Sequence, residues 1–251
     1  MIKKLIFYWY VPEFEWHELY DLHLKNLEYF KDCFDKKVFV LAFDDKTKGT
    51  GKVERTMQKI HNVISDATFV MYDNDAFLRE SLYFYNEIAK KFNKLPNDEA
   101  IFFAHNKGVS STYYDKSNVV CWINTMYYCC LHDMELIDKY LEEPTTCSIG
   151  SLCIRHSNPF GHFFQKYAWH YSGTFFWIVP HRINKVIELS NAQLPPNDRY
   201  FTEGFLGCVI PDDDRFRKII FKECKPGEGR IRYFERTFSE EDKIKFKELY
   251  D

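Results

Sequence analysis

Residues Ala100–Ser111 read AIFFAHNKGVSS: an unbroken apolar run, then His105-Asn106-Lys107-Gly108. Turn residues Pro96-Asn97-Asp98 introduce the run and a glycine ends it, which is the pattern of a strand buried on both faces. In an α/β sheet such a strand delivers its last polar side chains to the edge where ligands sit. The fold therefore turns on what precedes this strand, and the function on what a histidine and a lysine do at its end.

Upstream, strand-like and helix-like patterns alternate. Leu5 to Val11 reads as a strand, Trp16 to Phe34 as a helix, Lys37 to Phe43 as a strand, and Val53 to Ile64 as a helix with Met57, Ile60 and Ile64 on one face. Thr68 to Tyr72 is a strand. Phe77 to Phe92 is helical, with Leu78, Leu82, Tyr85 and Ala89 spaced for one face. Four βα units in succession predict an α/β fold: a single domain with a mostly parallel central sheet, flanked by helices and joined by right-handed crossovers. The strand ends read Tyr8-Trp9-Tyr10, Asp44-Asp45, Asp73-Asn74-Asp75 and His105-Asn106-Lys107. Neither G-x-G-x-x-G nor G-x-x-x-x-G-K-[ST] occurs, which disfavours a dinucleotide or P-loop site.

Downstream the pattern is less regular. Val119 to Glu143 reads as helical and Thr146 to Ile154 as strand-like. Tyr167 to Pro180, YAWHYSGTFFWIVP, is densely aromatic, and a helix is expected near Asn184 to Ser190. In the tail, Ser239 with Asp242 marks a helix start. No linker or repeat marks a domain boundary.

Composition sets the outer limits. The chain has 251 residues, 45% of them hydrophobic, enough for a sizeable core. A formal net charge of −3 argues against a protein that coats nucleic acid. The segment MIKKLIFYWYVPEFEW imitates a signal peptide, but its apolar run is short, aromatic and lacks a small-residue cleavage site, so a first strand is the better reading. The eight cysteines form no C-x-x-C pair, which suits reduced thiols and a cytoplasmic placement.

Three segments together carry a family resemblance: FFAHNKGVS (Phe102–Ser110) followed by Trp122, then WHYSGTFFWIVP (Trp169–Pro180), then RYFTEGFLG (Arg199–Gly207). They resemble bacterial and viral sugar-transferase domains with H-T-K-G-V, H-F-S-G-N-F-W-W and later R-x-x-x-E signatures, taken to have the glycosyltransferase A fold. Asn106 stands where the pattern has Thr, Thr174 where it has Asn, and Phe176 where it has the first Trp. The resemblance implies a Rossmann-like nucleotide-sugar-binding half at 1–118, an acceptor and catalytic half at 119–210, and a C-terminal extension at 211–251. It also implies a nucleotide-sugar donor, UDP-linked by expectation, and transfer of its sugar to a hydroxyl of a glycan or lipid-linked acceptor with inversion.

Such a reaction needs a platform for the nucleoside, positive charge for the leaving diphosphate, and a base for the acceptor hydroxyl. Tyr8 and Asp44 resemble the nucleoside site, unless Tyr8 is core and Asp44 opens a turn. Lys107, with His105 and Gly108, offers a cation and close backbone amides to the diphosphate, unless Lys107 simply faces water. Asp73 and Asp75 could chelate Mn²⁺ or Mg²⁺, or Asp75 could cap the next helix. Arg79 and Glu80 either reach the donor or pair at the surface. Glu203 is the candidate base with Arg199 one helical turn away, the alternative being a structural ion pair. Trp122, His170, Ser172, Gly173 and Trp177 would line the sugar pocket, or pack as core. The Arg215–Lys247 region, with eleven Lys and Arg, could lie peripherally on an anionic membrane, although its interspersed acids also fit a solvated surface. A non-catalytic carbohydrate-binding module and a sugar-phosphate transferase are the competing classes.

Overall fold

In β1 (Ile2–Val11), Leu5, Phe7, Trp9 and Val11 face one side and Ile6 and Tyr8 the other, all buried. Burial on both faces is what a central parallel strand requires. A computed structural model of the chain describes residues 1–13, 17–73, 79–106, 116–155, 168–171, 173–190, 201–220 and 223–224, without the side chains of 17, 73, 79, 116–118, 201, 203, 223 and 224. Around β1 lie β2 (Lys36–Phe43), β3 (Thr68–Asp73) and β4 (Glu99–His105), these four strands all parallel to one another. Further out are β5 (Ser148–Gly150), β8 (Phe176–Ile178) and β9 (Arg217–Ile219), giving the order β3-β2-β1-β4-β8-β5-β9 with β8 reversed. Strands β6 (Cys153–Arg155), β7 (Trp169–Tyr171) and β10 (Glu223–Cys224) form a separate small sheet. The fold is thus a single α/β domain with a mostly parallel seven-stranded sheet.

Helices α1 (His17–Phe30), α2 (Lys52–Val63), α4 (Lys116–Leu131) and α5 (Met134–Glu142) cover the Phe7 face. The Tyr8 face is covered by α3 (Arg79–Tyr83) and its continuation to Lys94, α6 (Pro180–Ser190), and the short α7 (Phe201–Gly204) and α8 (Leu206–Val209). The step from β3 to β4 crosses the sheet in the direction opposite to β1-to-β2, so a crossover of the same hand must carry α3 on the opposite face. It does. The step from β4 to β5 also runs that way, yet α4 packs beside α1, so this crossover has the opposite hand to β1-to-β2. Uniform right-handedness therefore fails at this step, where two helices rather than one span the position taken by β8.

Three sequence expectations change in detail. Val119 to Glu143 is two helices, because Asp133 ends the first and caps the second, accepting from Leu136 N at 2.9 Å. Thr146 to Ile154 is two strands in different sheets, split at Ser151-Leu152, where Leu152 takes φ 51°. The segment after Arg79 buries Ser81, Phe84, Ile88 and Phe92, one position from Leu82 and Tyr85, which are half-buried, while Ala89 is buried as expected. Its apolar residues leave the phase open, and Phe84 fixes it by packing edge-on against Phe103, Phe176 and Phe205. Among the described residues no helix is long and apolar enough to cross a membrane.

Candidate functional site

The chain leaves β1 toward β2 and β3, then returns to the other side of β1 with β4, so the topological switch point lies between the C-terminal ends of β1 and β4. Ladder pairing there ends at Tyr8 opposite His105. The next residue continues it in an unusual way. Asn106 N donates to Tyr8 O (3.3 Å), its side-chain Nδ2 donates to Tyr10 O (2.7 Å), and its Oδ1 accepts from Tyr10 N (2.9 Å). One buried amide side chain thus supplies the donor and acceptor of a strand that has stopped. The clamp holds the two strands together where the sheet would otherwise splay.

His105, 8% exposed, sits just before this clamp. Its Nδ1 bonds Glu80 Oε2 on α3, and Glu80 Oε1 accepts from Thr174 Oγ1 at 3.1 Å. An ionised carboxylate only accepts, so Nδ1 carries the proton and the tautomer is set. The opposite nitrogen, Nε2, is buried and has no hydrogen-bond partner among the described residues. An orphaned buried nitrogen costs about 1–3 kcal/mol, a penalty that a ligand would relieve.

Because β8 is antiparallel, its first residue lies beside the C-terminal end of β4, Phe176 opposite Phe103. That reversal brings the turn before β8 to the same sheet edge as His105. Gly173 takes φ 92°, and a Cβ there would meet Met126 Sδ at 2.5 Å and the Trp122 ring at 2.8 Å. Thr174 follows at φ 57°. The third segment arrives through Ser81, whose Oγ lies 3.3 Å from Thr202 Oγ1 and accepts from Thr202 N at 3.4 Å. Gly207 lets α8 rest on β7, since a Cβ would fall 1.8 Å from Trp169 O. The segments Phe102–His105, Trp169–Ile178 and Phe201–Gly207 therefore converge on the first turn of α3.

At the ends of β1 and β2 a second cluster forms. Tyr10 Oη donates to Asp44 Oδ2 (3.0 Å), while the Thr47 amide (3.2 Å) and hydroxyl (3.0 Å) reach Asp44 Oδ1. Burial pushes the Asp44 carboxyl up, but the hydrogen bonds from Thr47 and Tyr10 and the charge of Lys46 outweigh it, and the net shift is downward. Asp44 holds an Asx-type turn and stays ionised.

Of the expected site residues, His105, Asp44, Trp122 and Gly173 lie at or beside this edge. Tyr8, opposite His105 in the ladder, is buried beside Tyr83, and Tyr10 is the aromatic that reaches Asp44. Trp177 is corrected to core. It is 0% exposed, stacked on Phe34 and tilted against Phe102, and its Nε1 donates to Cys130 O at 2.9 Å. His170 is buried in β7, opposite Ile154. Lys107, Gly108, Asp75, Ser172 and Arg199 lie outside the described residues, as does the tail helix start. Of Asp73, Arg79 and Glu203 only the backbone is described, at the end of β3, the start of α3 and within α7. Among the described residues no group of three metal-ligating side chains gathers. Sequence reasoning missed Glu80 as the partner of His105, Thr174 as its second tie, and the strand-like role of Asn106. Each depends on contacts far apart in sequence, and only the polar side chains within apolar surroundings hinted at them.

No protein-family model matches the chain, and no curated protein matches it. Solved structures similar to it include the mannosyltransferase PcManGT from Pyrobaculum calidifontis in complex with GDP-Man and Mn²⁺, at 13% identity and TM-score 0.37. That match covers 88% of this chain and 56% of the other, so the chain spans about half the length of that enzyme. Another is apo UDP-glucose pyrophosphorylase, at 13% identity and TM-score 0.38, covering 100% of this chain and 98% of that one.

Proposed function

We propose that the protein is a glycosyltransferase that moves a sugar from a nucleoside-diphosphate donor, UDP-linked, to an acceptor hydroxyl with inversion, in the synthesis of a surface glycan. The observation that carries this reading is the convergence of its three motif segments on α3: Glu80 ties His105 to Thr174, and Ser81 ties in Thr202. All of this lies at the switch point, where α/β sheets bind nucleotides.

In this reading the nucleoside lies over the ends of β1 and β2, near Tyr10 and Asp44. Lys107 and the Gly108 amide neutralise the diphosphate as the sugar leaves. Glu203, with Arg199 beside it, takes the proton of the acceptor hydroxyl. Trp122, His170, Ser172 and Gly173 border the sugar. Asp73 and Asp75 would hold a divalent ion if one is used, and none of these steps is routed through it. Residues 1–118 then serve the donor and 119–210 the acceptor, with the enzyme acting in the cytoplasm and the 215–247 region meeting a membrane-borne acceptor.

The test is a thermal-shift screen of nucleoside diphosphates and their sugar conjugates, since a ligand that binds only the folded state raises the melting temperature. A panel without a single stabilising nucleotide overturns the proposal. Given a donor, Glu203→Gln should abolish transfer and leave donor binding nearly intact. Lys107→Ala should weaken donor binding roughly ten- to a hundredfold. Chelator should have little effect. Loss of activity in chelator, restored by Mn²⁺, with Asp75→Asn inactive would transfer the diphosphate role to Asp73 and Asp75.

A further inference from the structure

We propose that Glu80 is a positioning residue that aims His105 Nε2 at a phosphate oxygen of the bound nucleoside diphosphate, and that His105 takes up a proton when that phosphate arrives. This rests on the reading above and adds a proton-linked contact to it. The geometry supports each part. The Glu80 carboxylate fixes Nδ1 as the donor, so the other nitrogen is the one left for a ligand, and Thr174 holds the far carboxylate oxygen so that Glu80 cannot swing away. Nε2 is buried and has no hydrogen-bond partner among the described residues, on the strand end beside the switch point. Phe175 meets the imidazole edge-on, with ring centroids 6.2 Å apart.

The charge balance selects the ligand class. A neutral imidazole offers Nε2 only as an acceptor, and a phosphate oxygen is also an acceptor, so the two meet productively only if Nε2 gains a proton. With Glu80 on one side and a phosphate on the other, the imidazolium lies between two anions, which favours its charge. The proton comes from solvent, Nε2–H then donates to the phosphate, and no bond in the ligand forms or breaks. Glu80 is the charged side chain that bonds the ring among the described residues. Tyr8 across the ladder, Thr174 and Phe175 are uncharged, and Lys107 follows in the chain.

The experiment follows the histidine nitrogens by long-range ¹H–¹⁵N NMR in the full chain, labelled with ¹⁵N-histidine, His105 being assigned by the signals lost in His105→Gln. The free protein gives the reference positions of the two His105 nitrogens. UDP, GDP or inorganic pyrophosphate should move both ring nitrogens to the doubly protonated position, and uridine should not. Glu80→Gln keeps a hydrogen-bond acceptor but removes the charge, so the proton should no longer be taken up and UDP should bind about tenfold more weakly. Glu80→Ala is the second variant, with scrambled tautomers as its signature. If UDP raises the melting temperature while the His105 nitrogens stay still, or if Glu80→Gln responds as wild type does, this inference falls and the transferase reading stands. If no diphosphate binds, both fall.

Discussion

Replacing Asn106 by alanine tests whether one side chain closes the sheet at the switch point. The substitution leaves the Tyr10 N–H and C=O facing a strand that has ended, and both groups are now satisfied by the Asn106 amide at 2.9 and 2.7 Å. Each buried backbone group left unpaired costs about 1–3 kcal/mol, and water entering from the sheet edge offsets part of this, so the expected loss is about 2–4 kcal/mol. For a domain of this size that corresponds to a fall of roughly 5–15 °C in Tm. Urea unfolding should show a lower midpoint with an unchanged slope, because the surface exposed on unfolding hardly changes. Native-state hydrogen exchange should accelerate at the Tyr10 amide while amides lower in β1 stay protected. Asn106→Asp keeps an acceptor for the Tyr10 amide but sets a carboxylate against the Tyr10 carbonyl, so at neutral pH it should be no better than alanine. An alanine variant within about 0.5 kcal/mol of wild type, the range of an ordinary surface change, would refute the clamp.

Gly207→Ala should destabilise by about 3 kcal/mol or more, seen by near-UV circular dichroism and denaturation, because the new methyl meets backbone rather than a movable side chain. Gly49→Ala, in open space at φ 73°, should cost only about 1 kcal/mol. Arg182→Met should cost about 3–5 kcal/mol in urea unfolding, since the buried guanidinium donates to three carbonyls, Leu141 O and Glu143 O at 2.7 Å and Thr146 O at 2.8 Å, around the end of α5. The lowered Asp44 carboxyl adds stability that is fully present above its unfolded value near 3.8 and is lost as pH falls through the lower folded value. Asp44→Asn should therefore lower the neutral plateau and flatten the acid limb below about pH 4, the two curves converging in acid.

The first four strands were legible because Phe7, Phe39 and Phe103 sit in runs whose length and bounding turns leave little choice. The strand ends, and so the edge that bears the site, were legible with them. Other features have no local signature. Ser148–Gly150 and Cys153–Arg155 look like one apolar strand, and only the left-handed backbone at Leu152 separates them. The reversal of β8 depends on which strand it joins, which no property of Phe176–Ile178 encodes. Trp177 belongs to a motif and still faces Phe34, since alternate residues of a strand point to opposite sides. Glu80 and His105 are 25 positions apart and Glu80 and Thr174 are 94 apart, so their meeting is a property of the sheet order.

The helical segment that starts at Arg79 changes pitch on its way into the core: after Tyr83 comes a wide π turn, Phe84–Ile88, and then a tighter stretch, Ala89–Lys94. A π turn holds one residue more than an α turn asks for. A change of length that the wide turn did not absorb would swing Glu80 by about 100° around the axis while Phe92 stayed seated. The spacing between Ser81 and Ile88 thus works as a gauge. It sets the direction in which the carboxylate leaves the helix, so this stretch should accept changes of side chain far more readily than changes of length.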